Sequence, residues 1–263
     1  MVVQVMKKKL GGLELEIAEG GTGRTLLFLH SWRGDDITSP ALTALSTRMR
    51  VIAPSHPGFG HSDVQPHLTT VGDLADFYID VLDELGLDDV VVIGASFGAW
   101  VALEMAVRST PRISHLVAAD AFGVKIGGRE DRDIADIFAV SQEDLVALSY
   151  ANPAPFAWRP RERSEHDLLA YTRSREAAAR FGWLPYMHNP KLKQRLKAVR
   201  VPTLFLWGAQ DRIVSPDYGR AYASLVPDAE FELIEHAGHF PHVEQPDAFS
   251  ARVTQFLERR AAA

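Results

Sequence analysis

Short apolar runs alternate with amphipathic stretches along most of this chain. The runs lie at 26–29, 51–53, 90–93, 113–119, 201–208 and 231–234. Their near-continuous apolar character predicts strands buried on both faces, and their alternation with helices predicts a mostly parallel sheet. Residues 2–8 and 13–18 alternate polar and apolar about Gly11 and Gly12, the pattern of an opening β-hairpin. Ser39-Pro40 predicts a helix start, with the helix reaching about residue 48. A stripe of Leu74, Phe77, Tyr78, Val81, Leu82 and Leu85 predicts a helix over 69–85, closed by Gly86. The mostly apolar stretch 100–106 predicts a buried helix, Ser215-Pro216 caps another, and a final helix runs to about residue 260.

From about 124 to 198 that rhythm changes. Strand signals vanish, and short helical segments at 132–139, 142–150 and 164–180 sit between prolines among dense basic and aromatic residues. The prediction is an α/β domain in two pieces, 1–123 and 199–263, with a helical insertion at 124–198 after the sixth core strand. The arginines of the insertion (Arg159, Arg161, Arg163, Arg173, Arg175, Arg180) read as a solvated face.

Composition narrows the function classes. A chain of 263 residues, 46% hydrophobic and 24% charged, is long enough for a large core and ordinary for a globular domain. Its net charge of −6 excludes a nucleic-acid surface, and the three lysines at 7–9 are too few to alter that. The absence of cysteine removes disulfides, thiolate metal sites and a cysteine nucleophile. With no signal-peptide core and no apolar run of membrane-spanning length, a cytoplasmic protein without membrane partners is expected.

The stretch 90–105 carries the chemistry. Between its strand and its helix sits GASFG, 94–98, a G-x-S-x-G turn with Ser96 at the centre. So sharp a turn forces Ser96 into a strained conformation and lifts its hydroxyl above the sheet edge, while Gly94 and Gly98 avoid a clash. The N–H of Phe97, at the helix N-terminus, can stabilise an oxyanion. Asp211 lies just past the 201–208 strand, and His239 lies in a glycine-turned loop after 231–234. All three side chains thus fall past strand ends, where open α/β sheets place their sites. His236, His239 and His242 recur every three residues, but Gly238 and Pro241 break the helix that a metal-binding face would need, so no metal is expected.

With these residues the chain resembles the α/β-hydrolase family, in particular its serine-nucleophile, cap-bearing, esterase-like members. The resemblance runs from the N-terminal hairpin to the histidine loop. It implies the α/β-hydrolase fold: a mostly parallel central sheet flanked by helices, with the insertion as a cap. The order Ser96, Asp211, His239 is then that of nucleophile, acid and base. Some members draw the acid from the preceding strand end, which makes Asp120 a competitor. The oxyanion hole would be the N–H groups of Phe97 and Trp32, although HSWRG (30–34) has Ser31 where the commonest pattern has glycine. In PSHPGFGHS (54–62) Ser55 replaces the family's aspartate; His30 reads as a loop brace, and His56 and His61 as structural or rim residues. Family caps line the substrate pocket with aromatics, for which Phe122, Phe138, Tyr150, Phe156, Trp158, Trp183, Tyr186 and Met187 are candidates.

The implied activity is hydrolysis of a small to medium carboxylic ester or related acyl substrate through an acyl-enzyme, without metal or organic cofactor, by a monomer or homodimer. Serine at the elbow argues against the dehalogenases and epoxide hydrolases that carry aspartate there. Lactonases, thioesterases, amidases and the hydrolases of carbon–carbon bonds in vinylogous diketones share the triad. The last group usually has a different motif after the histidine, where FPHVEQP stands here. A small-molecule receptor with little turnover is the alternative of another class.

Overall fold

The computed structural model describes residues 3–108 and 110–261. It opens with the hairpin β1 (Gln4–Leu10) and β2 (Leu13–Gly20), turned at Gly11 and Gly12 with positive φ. β3 (Thr25–Leu29), β4 (Arg50–Pro54), β5 (Val90–Ala95), β6 (Ile113–Ala119), β7 (Thr203–Gly208) and β8 (Ala229–Ile234) complete the sheet. Its order is β1-β2-β4-β3-β5-β6-β7-β8, with β2 antiparallel to its neighbours and every later pairing parallel.

Helices α1 (Pro40–Leu45), α2 (Val71–Glu84) and α3 (Phe97–Ala106) follow β3, β4 and β5. Between β6 and β7 lie α4 (Gln142–Ser149), α5 (Glu165–Gly182) and α6 (Leu192–Arg195). The chain ends with α7 (Pro216–Ala223) after β7, then α8 (Pro241–Glu244) and α9 (Pro246–Ala261) after β8. Alternate strand residues enter opposite layers. Leu27, Leu29, Val90 and Val92 pack with α2, α3 and α7, whereas Leu26, Phe28, Val91 and Ile93 pack with α1 and α9. Burying such a side chain contributes about 1.5–3 kcal/mol, which is why the runs are apolar at successive positions.

One expectation is corrected. Residues 132–139 form turns and one bridge, Ile134 to Val214, instead of a helix. The Asp133 carboxylate accepts the N–H groups of Ile126 and Gly127, and Asp136 Oδ1 those of Phe138 and Ala139. Such side-chain bonds to the main chain compete with a helix. As expected, no helix runs through 236–242: the loop is not helical before Pro241, which takes the first position of α8, where its missing N–H is harmless.

The segment between β6 and β7 packs onto the strand ends. Arg173 donates to the Ser62 carbonyl at 2.7 Å, the Gly60 N–H donates to Ser174 Oγ at 3.1 Å, and the Gly123 N–H donates to the Met187 carbonyl at 3.1 Å. Among the described residues no helix is long and apolar enough to cross a membrane.

Candidate active site

β5 ends at Ala95 and α3 begins at Phe97, so Ser96 alone makes the turn. Its φ of 54° and ψ of −110° are a strained pair for a residue with a side chain. A Cβ on Gly98 would lie 2.0 Å from the Leu29 carbonyl oxygen, and one on Gly94 2.4 Å from that of Gly98. The elbow is therefore pressed against β3 with no room for a methyl group on either side.

Ser96 Oγ lies 2.7 Å from His239 Nε2, and His239 Nδ1 lies 2.8 Å from Asp211 Oδ2. All three side chains are buried. Asp211 Oδ1 accepts the N–H groups of Ile213 and Val214 at 2.8 and 3.1 Å, which fixes the carboxylate in the loop after β7. The His239 N–H donates to the Ser149 carbonyl at the end of α4, 2.7 Å away. Glu244 braces the same loop by accepting from Gly238, Ala151 and Asn152. Hydroxyl, imidazole and carboxylate in this order can move a proton off the hydroxyl and hold the imidazolium that forms.

The main-chain N–H groups of Trp32 and Phe97 donate to no acceptor among the described residues. The loop carrying Trp32 is clamped from beneath. Ser31 donates to the Asp36 carboxylate through its N–H (3.0 Å) and its hydroxyl (3.0 Å), and His242 Nε2 lies 2.9 Å from Asp36 Oδ2. Ser31, in the place of the common glycine, thus gains a polar anchor. Burial pushes the Asp36 carboxyl up, but hydrogen bonds from His242 and Ser31 and the nearby charges of His242 and His30 outweigh it and hold it well below the usual range. His30 Nδ1 donates to the Ser31 carbonyl at 2.6 Å, and its Nε2 accepts the His56 N–H at 2.7 Å. Burial lowers the pKa of both rings, most strongly for His56. His30 is a loop brace.

Asp120 also reaches the site, at the end of β6, but the His239 ring pairs with Asp211. Asp120 Oδ1 accepts the Gly208 N–H at 2.9 Å. Atoms of Asp120, Asp211 and His239 lie within 4.8 Å of one another. Both His239 nitrogens are engaged, Nε2 by Ser96 and Nδ1 by Asp211. His242 is tied to Asp36 and His236 is exposed, so the three-residue histidine repeat does not converge.

The aromatic candidates separate in space. Phe122 stacks on the His239 ring, with centroids 5.2 Å apart. Tyr150 stacks on Phe156 and faces Phe240, which touches His239. Met187 is buried and holds Gly123 beside Phe122. Phe138 packs on Trp183 and Tyr186, and the Tyr186 hydroxyl donates to the Ala135 carbonyl. Trp158 packs on Tyr171, and Trp183 is 58% exposed. Among the described residues no ring contact joins Trp158 or Trp183 to Phe97, Phe122 or His239. Phe59, Phe181 and Phe240 were not singled out in the sequence, yet they surround Phe97 and His239. Arg175 is not on a solvated face: its guanidinium lies 5.5 Å from the Trp32 ring centre and 4.7 Å from that of Phe138.

A parallel sheet that brings a serine elbow, a carboxylate and a histidine to one edge is the frame of a hydrolase. The profile of the Alpha/beta hydrolase family matches residues 26–252, and the chain belongs to that family. It is 27% identical over 272 aligned residues, 94% of each chain, to the 2-hydroxy-6-oxo-2,4-heptadienoate hydrolase of Pseudomonas putida. A thermophilic esterase from Thermogutta terrifontis, solved with malate bound, superposes with a TM-score of 0.76 at 26% identity, over 97% of this chain and 98% of that one. A bacterial membrane phospholipase A shares the fold with a TM-score of 0.82 at 23% identity, over 99% of this chain and 87% of that one.

Proposed function

We propose that this chain is a serine hydrolase that cleaves a small to medium carboxylic ester, or a related acyl substrate, through an acyl-enzyme on Ser96. The observation that carries this reading is the unbroken run from Ser96 Oγ through His239 to Asp211, at 2.7 and 2.8 Å. His239 takes the Ser96 proton as the hydroxyl attacks the acyl carbon, then passes it to the leaving alcohol. Water, activated by the same imidazole, releases the acid. Asp211 holds the imidazole tautomer, and the Trp32 and Phe97 N–H groups hold the oxyanion, at about 3–4 kcal/mol of barrier per donor. The segment 124–198 acts as a cap on the core, with Phe122 and the rings around Tyr150 as pocket walls.

A second reading has its own support. Arg175 forms no ion pair among the described residues, and the buried Trp32 Nε1 beside it has no acceptor. Two such donors suit a substrate carboxylate. A 2-hydroxy-6-oxo dienoate of the kind named for the Pseudomonas relative carries a carboxylate and no ester, so its hydrolysis breaks a carbon–carbon bond. The same Ser96 and His239 would serve it.

Steady-state turnover of p-nitrophenyl esters from acetate to laurate, by wild type and Ser96→Ala, tests the main reading. Multiple turnovers lost in Ser96→Ala are expected, with Asp211→Asn lowering kcat by about 10⁴-fold. Activity that survives in Ser96→Ala refutes the nucleophile. Turnover of a 2-hydroxy-6-oxo dienoate, with every ester inert, shifts the assignment to carbon–carbon cleavage.

A further inference from the structure

Asp120 is a buried carboxyl that the proposed cycle does not use. It sits at the end of β6 with φ 46°, held by its own N–H to the Leu206 carbonyl and by the Gly208 N–H on Oδ1. Its Oδ2 is buried and has no donor. The carboxyl of Asp211 is its neighbour, with oxygens less than 4.8 Å apart. The other titratable groups that face this pair are His239, from the loop after β8, and Glu244, from α8.

Two carboxylates this close in a buried site do not both stay ionised; one keeps a proton. The hydrogen bonds decide which. Asp211 accepts three, from Ile213, Val214 and His239, all of which favour its charged form. Asp120 accepts one, from Gly208. We infer that Asp120 holds the proton on Oδ2 and donates it in a hydrogen bond to Asp211, which makes Asp120 a positioning residue for the acid. Burial, reinforced by the charge of Asp211, pushes its carboxyl well above the usual range, and the Gly208 N–H offsets this only in part. The donated bond orients the Asp211 carboxylate towards the His239 ring. The catalytic consequence rests on the proposed function; the proton assignment does not.

Two readouts test it. The first is the infrared difference spectrum between wild type and Asp120→Asn at neutral pH, in which the carbonyl stretch of a protonated carboxylic acid is expected as a wild-type band. Glu244, which burial also pushes up, is common to both proteins and cancels. No band in the difference overturns the assignment, and this measurement needs no substrate. The second is rescue. Asp120→Leu, of matching shape without a donor, is expected to lower kcat by about ten- to a hundredfold, the scale for loss of an outer hydrogen-bond partner, with KM little changed. Asp120→Asn keeps both an acceptor for Gly208 and a donor for Asp211, so it restores most of that rate. An asparagine variant as slow as the leucine variant shows that a charge is required and refutes the donor role. If Asp120→Leu does not fold, Asp120→Asn against wild type decides alone: a loss beyond about tenfold overturns the proposal.

Discussion

At Gly98 and Gly86 the same substitution meets opposite surroundings. Gly98 has ordinary φ but no space, because a Cβ would sit 2.0 Å from the Leu29 carbonyl oxygen and 2.5 Å from that of His30. Gly86, just past α2, has φ of 58° and open space around it. Gly86→Ala is expected to lose about 1–2 kcal/mol, the left-handed strain of an L-residue, with turnover unaffected. Gly98→Ala must move the elbow off β3 and is expected to lose about 3 kcal/mol or more, with most of the activity. Urea denaturation and ester turnover on both variants check this; an active, stable Gly98→Ala protein would show that the elbow has slack.

At the scale of elements, the loop after β3 depends on a residue from α8. Asp36 joins Ser31 to His242, so the Trp32 N–H is held by the same chain segment that carries His239. Asp36→Ala leaves a buried imidazole and a buried hydroxyl without their partner and is expected to lose about 3–5 kcal/mol, with a fall in kcat through displacement of the loop proposed to hold the oxyanion. The sign with pH follows from the depressed carboxyl of Asp36. Its contribution is present above the unfolded carboxylate value of about 4 and fades as pH falls through it, so wild type and variant converge in acid. A stability gap that persists unchanged at pH 2 to 3 contradicts this. None of this clamp is legible in the sequence, since Asp36 and His242 lie far apart along the chain. What is legible is local. Periodicity gives the eight strands, and the G-x-S-x-G spacing gives the elbow, because strand period and turn strain act over a few residues. Helix 132–139 misleads because Asp133 and Asp136 bind main-chain N–H groups instead. The choice between Asp120 and Asp211 needs the β6–β7 register, which puts both carboxyls at adjacent strand ends. Phe181 is also invisible until α5 folds back onto Phe97.

Across the whole molecule, the stability curve against pH is shaped by buried carboxyls pulling in opposite senses. Asp36 releases its proton more readily folded than unfolded, whereas Asp120 holds its proton more tightly folded. For Asp120 the native state binds the extra proton above the unfolded value of about 4, so its presence makes stability fall as pH rises from there towards its raised folded value. Asparagine at this position cannot ionise and keeps the same acceptor and donor geometry. Asp120→Asn is therefore expected to gain on wild type steadily from pH 4 to 8, and to show no advantage below pH 4. Urea midpoints at unit pH intervals, at fixed ionic strength, give the difference directly, and equal m-values would confirm that only stability has changed. A gap that is flat across the range would mean that Asp120 binds its proton equally well folded and unfolded, and Asp211 would then stand beside an ionised neighbour. A gap that widens with pH instead identifies a buried proton that is held at a cost in stability, beside the groups proposed to move protons in the reaction.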